Sequence, residues 1–128
     1  MLIYIEPKTE LKMKKEKESL IDEFTDLVGL MQKVVLEKFL KSGTFAGAFA
    51  SYPSKEELKI RHAVVFISKK FTKNRLPMSD MGGFLGGLSS KSIKRSLKNH
   101  KKLVLTDDDY RKFVEDFTHQ ISCEKKLN

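Results

Sequence analysis

Between residues 16 and 40 apolar side chains return every three or four positions, at Leu20, Phe24, Leu27, Met31, Val34 or Val35, and Phe39. That period gathers them on one face of an α-helix, and no proline interrupts the run. Lys41, Ser42 and Gly43 supply a stop, since glycine reaches the left-handed conformation that closes many helices. Residues 1–14 lack the pattern and read as an N-terminal arm. Residues 15–128 read as one helical domain.

Punctuation divides the rest of the chain. Residues 44–51 form a short apolar stretch, about two turns of helix, closed by Pro53. Ser54 with Glu57 three positions later is a capping box and starts a helix running to about Lys73. Its apolar face is Ile60, Val64, Ile67 and Phe71, with small Ala63 beside it. Leu76 and Pro77 open a shorter helix, with Pro77 at a first-turn position and Met78, Met81, Phe84 and Leu85 on its apolar face. Gly86 and Gly87 end it. Ser89 or Ser90 then caps a helix reaching about Leu103, which turns Ile93 and Leu97 inward. Thr106 is expected to cap a last helix, with Asp107, Asp108 and Asp109 in the first turn, where the helix dipole favours negative charge. Tyr110, Phe113, Val114, Phe117 and Ile121 make its packing stripe. Only residues 2–5 hint at a strand. The expected fold is all-α, a bundle of five to six helices.

Composition changes this picture through its charge. The 128 residues include 25 Lys and Arg against 17 Asp and Glu. From Lys59 to Thr106 there are twelve basic residues and one acid, Asp80, a net +11; the remainder holds 13 basic and 16 acidic residues, a net −3. A solvated face mixes its signs, whereas segregated charge is the footprint of a protein that meets phosphates. Forty per cent hydrophobic residues exclude a disordered polyelectrolyte. A single cysteine, Cys123, excludes an internal disulfide and a cysteine zinc cage. Charge interrupts the opening segment too early for a signal peptide, and no apolar run has membrane-spanning length. The expected setting is cytoplasmic, with no membrane partner.

Residues 76–103 therefore read as short helix, glycine turn and capped basic helix, the grammar of a helix-turn-helix. A recognition helix needs small polar side chains at its N-terminus and cations that reach phosphates on either side. Ser89, Ser90, Lys91 and Ser92 supply the first; Lys94, Arg95 and Lys98 supply the second. Lys101 and Lys102 also point outward.

Residues about 30–121 resemble the C-terminal DNA-binding domain (domain IV) of the bacterial replication initiator DnaA. The resemblance starts at Met31-Gln32-Lys33-Val34-Val35 and tightens at Arg61-His62-Ala63. It passes through Lys69-Lys70-Phe71-Thr72 to Leu76-Pro77. It then follows the family's Gly, Phe, Gly-Gly spacing through Met81-Gly82-Gly83-Phe84-Leu85-Gly86-Gly87 and on to Ile93, with two extra residues after Leu76-Pro77. The resemblance implies the helix-turn-helix fold that this domain shares with the tryptophan repressor. It implies base contacts from Ser89, Ser90, Lys91 and Ser92, and phosphate contacts from Lys69, Leu76 and Pro77. The family's Asp-His-Thr-Thr signature is Ser-Ser-Lys-Ser here, and its arginine-bearing loop is replaced by residues 51–57, which hold two acids and no arginine. No phosphate-loop sequence occurs, so neither ATPase activity nor a nucleotide ligand is expected.

The expected function is double-stranded DNA binding, as a regulator or accessory replication factor. The alternative is a protein-interaction module that keeps the fold without DNA readout and uses the long first helix for self-association or another protein. No enzyme, cofactor or metal site is expected. His62, His100 and His119 lack metal-ligand spacing, Cys123 has no base partner in sight, the glycines at 82–87 follow no strand, and the acids at 107–109 are explained as a cap.

Overall fold

The computed structural model describes residues 7–39, 45 and 47–127, with side chains over 18–37, 45 and 47–125. The described chain is all-α and contains no strand. Five α-helices follow in order: α1 (Pro7–Val34), α2 (Lys55–Phe71), α3 (Met78–Phe84), α4 (Ser90–Thr106) and α5 (Asp108–Leu127). α1 continues into one π-helical turn, Val35–Phe39, and a single 3-10 turn, Gly47–Phe49, precedes α2. The first helix begins at Pro7 rather than near Glu16, so residues 7–14, expected as an arm, are helical. Proline suits this start because its missing N–H would have no intrahelical partner there. The suggested stop at residues 41–43 and the strand hint at residues 2–5 lie outside the described residues.

α2 is the centre of the bundle and packs against α1, α4, α5 and the 3-10 turn. Its capping box forms as expected: the Glu57 N–H donates to Ser54 Oγ at 3.2 Å and the Ser54 N–H to Glu57 Oε1 at 3.0 Å. Its interior is wrapped more completely than one apolar face requires. Besides Ile60, Ala63, Val64 and Ile67, the structure buries His62, Val65 and Ser68. Phe24, Leu27, Met31, Val34 and Val35 of the first helical segment join Tyr110, Val114, Phe117 and Ile121 of α5 in the same core. Each large aliphatic or aromatic side chain removed from water here contributes roughly 1.5–3 kcal/mol.

Two further helix boundaries differ from the sequence expectation. Thr106 is the last residue of α4, its hydroxyl donating to the Lys102 carbonyl. Asp107 caps α5 instead, accepting from the Tyr110 N–H at 3.0 Å and pairing with Lys59 at 3.1 Å. A carboxylate is the stronger acceptor for free helix N–H groups, and it leaves a one-residue joint between α4 and α5. At α3, Pro77 is the cap itself, with extended backbone (φ −59°, ψ 147°), rather than the first helical residue.

Candidate nucleic-acid interface

The turn between α3 and α4 is set by glycine. Gly86 and Gly87 both have positive φ, 74° and 79°, where a Cβ would be strained. Gly86 also lies against Phe49, so the 3-10 turn buttresses the α3–α4 turn. That 3-10 turn is tied to α2 by Arg61, whose Nε donates to the Ala48 carbonyl and Nη2 to the Ala50 carbonyl, each at 2.6 Å. Arg61 is thus a structural clamp.

Ser89 caps α4 and receives the Ser92 N–H at 3.1 Å, with the two hydroxyls 3.2 Å apart. The four expected base-reading positions therefore divide. Ser89 and Ser92 face each other at the cap, while Ser90 and Lys91 are exposed beyond it. Lys94, Arg95 and Lys98 are exposed as well, and Ile93, Ser96 and His100 on the opposite side are buried. At 100° per residue, Lys91, Lys94, Arg95, Lys98, Lys101 and Lys102 fall within about 120° of the helix circumference. No acid occurs in α4, and no ion pair joins Lys91, Lys94, Arg95 or Lys98 to an acid among the described residues. Lys91 stands in the first turn, where the helix dipole disfavours a cation.

A second group of cations joins this stripe. Lys69, Lys70 and Lys73 at the end of α2 and Lys101 of α4 border a groove of about 300 Å³, together with Phe66, Asn74 and Leu97. Lys73 and Asn74 turn the chain with left-handed backbone, φ 54° and 61°. Lys69 is half-buried in this groove. Leu76 is 5% exposed and belongs to the core, so its side chain cannot reach a ligand; Pro77 beside it is exposed. Sequence reasoning selected Lys69 and did not single out Lys70, Lys73, Asn74 or Lys101 as site residues. The basic run at 69–73 and the left-handed preference of asparagine were the available signals.

Three of the twelve mid-chain cations are engaged elsewhere: Lys59 with Asp107, Arg61 with the two carbonyls, and Arg75 with Glu23 at 3.4 Å. The other nine lie on α4 and the end of α2, with Lys101 common to the stripe and the groove.

Behind α4, His100 and Tyr110 are buried. The His100 ring stacks on Phe66 at 4.0 Å, and its Nδ1 shares a 2.7 Å hydrogen bond with the Tyr110 hydroxyl. Burial lowers the His100 pKa and raises that of Tyr110, so a protonated phenol faces a neutral imidazole. His62 is lowered to about 4 by burial, then by the charge of Arg61 and by His100, and its Nδ1 has no hydrogen-bond partner among the described residues. Cys123 was expected to lack a base partner, but its Sγ lies 3.5 Å from His119 Nε2, because four residues are one turn of α5 and bring the two side chains to the same face. No helix among the described residues is long and apolar enough to cross a membrane. Comparisons with protein-family models, curated protein sequences and solved structures find no match to this chain.

Proposed function

We propose that the chain binds double-stranded DNA, with α3, the Gly86–Gly87 turn and α4 acting as a helix-turn-helix. The observation that carries this reading is the acid-free, exposed face of α4 bearing Lys91, Lys94, Arg95 and Lys98. In this reading α4 enters the major groove by its N-terminal half. Ser90 and Lys91 meet base edges, and Lys94, Arg95 and Lys98 meet phosphates. Lys69, Lys70, Lys73 and Lys101 extend the phosphate contact along the flank, with Pro77 at its edge. The cation in the first turn of α4 is then favourable, because a phosphate offsets its conflict with the helix dipole.

The resemblance to the DNA-binding domain of the replication initiator supports the same assignment, and the replaced signature favours a different or weaker base preference. A regulatory or accessory replication role, without ATP hydrolysis, follows from that reading. Selection from random duplex DNA at two salt concentrations tests it. Enrichment of related sequences, with affinity that falls steeply as salt rises, is the expected result. Absence of duplex binding at low salt, with a protein partner retained after nuclease treatment, would favour the interaction-module alternative.

A further inference from the structure

On the flank of the bundle, α2, α4 and α5 border a cleft of about 440 Å³, of whose lining the DNA reading uses only Lys70, at the rim. Its apolar lining comes from Phe66 on α2, Val104 on α4 and Val114 on α5. Phe66 and Val104 are only partly covered by the core they pack against. The cations bordering the cleft are Lys70 and Arg111, with Glu115 as the acid and His100, Thr118 and His119 completing the polar lining. Lys70 is exposed and makes no ion pair among the described residues. Among the described residues, Arg111 pairs with Asp108, at 3.0 Å, in an exposed pair. Such pairs contribute little and exchange readily for a better-placed anion.

The volume lies in the range of small-molecule sites, which combine an apolar lining with a few polar groups that fix orientation. A neutral apolar ligand would leave Lys70 and Arg111 unused, and a small inorganic anion would leave the lining wet. A dianion would meet Glu115. We propose that this cleft binds a small amphipathic monocarboxylate, its apolar body against Phe66, Val104 and Val114 and its carboxylate between Lys70 and Arg111. The guanidinium of Arg111 offers the paired donors that match a carboxylate.

The test uses 2-naphthoate and octanoate as probes, with 2-naphthylmethanol as the neutral counterpart. Binding to the full chain is followed by methyl and amide NMR shifts and by calorimetry. The expected result is saturable shifts at Val104 and Val114, with the naphthoate at least tenfold tighter than the alcohol. Lys70→Glu and Arg111→Glu are surface changes whose folding is checked by circular dichroism. Each should weaken the carboxylate at least tenfold and leave the alcohol unchanged. Thr118→Phe, at the border of the cleft, should weaken both. Equal binding of acid and alcohol, shifts located elsewhere, carboxylate affinity indifferent to both charge reversals, or no binding of either carboxylate would overturn the assignment.

Discussion

The Leu88 N–H donates to the Gly82 carbonyl at 2.8 Å, while the Cα of Gly82 faces the Leu88 carbonyl so closely that a Cβ would overlap it. This contact sets how near the segment entering α4 lies to α3. Gly83, one residue on, has open space at the same position. The two glycines thus have opposite reasons for their identity, though both are helical.

The first prediction is that Gly82→Ala and Gly83→Ala have opposite signs. Gly82→Ala forces α3 and the turn apart and should cost roughly 2–3 kcal/mol, in the range of overpacking a close contact. Gly83→Ala should be neutral or stabilising by about 0.5–1 kcal/mol, because alanine loses less entropy in a helix. Urea unfolding of the two variants separates them. Equal effects would show that the approach at Gly82 does not constrain the fold.

Arg61 ties the 3-10 turn to α2, and that turn supports Gly86. Arg61→Met keeps much of the side-chain volume and leaves the Ala48 and Ala50 carbonyls without these donors. A loss of roughly 2 kcal/mol is expected for two charge-assisted hydrogen bonds. Amide hydrogen exchange should rise first at residues 47–50 and at Gly86–Gly87. Unchanged protection there would contradict the clamp.

Acid should weaken the fold through its buried imidazoles. An unfolded histidine titrates near pH 6.5, whereas His62 in the fold titrates at about 4. Between those values the unfolded chain holds a proton that the folded chain does not, so stability falls as pH drops through this window. Above it, this group adds no pH dependence. His100 is shifted in the same direction by burial. Unfolding free energy should be lower at pH 4.5 than at pH 7 by roughly 1–2 kcal/mol. His62→Leu should flatten much of the slope and remove a buried nitrogen that has no partner among the described residues. An identical slope in that variant would move the origin elsewhere.

The elements most legible in the sequence were those whose signals are local. The capping box at Ser54 and Glu57, the glycine turn at 86–87 and the cationic stripe on α4 each depend on neighbours within a few residues. Packing between elements was less legible. The burial of His62 requires a helix covered on more than one side, which a single-face pattern does not reveal. The choice of Asp107 over Thr106 as the α5 cap follows from α4 running on to Thr106, and the pairing of Asp107 with Lys59, far away in sequence, is a contact that no local pattern encodes. Leu76 matched a family contact by alignment, yet its side chain fills the core. The groove beside Lys69 depends on α2 meeting α4, and no periodicity within either helix encodes that meeting.

The most direct measurement is the salt dependence of duplex DNA affinity, by fluorescence anisotropy, for the wild-type chain and for Lys91→Glu with Arg95→Glu. Each phosphate contact contributes about −0.9 to the slope of log affinity against log salt. The double variant should lose roughly a hundredfold in affinity and about two units of slope. Lys33→Glu with Lys112→Glu, the same charge change placed on α1 and α5, should retain both to within a few-fold. Equal losses from the two pairs, or an α4 variant that binds DNA as the wild type does, would contradict α4 as the reading surface.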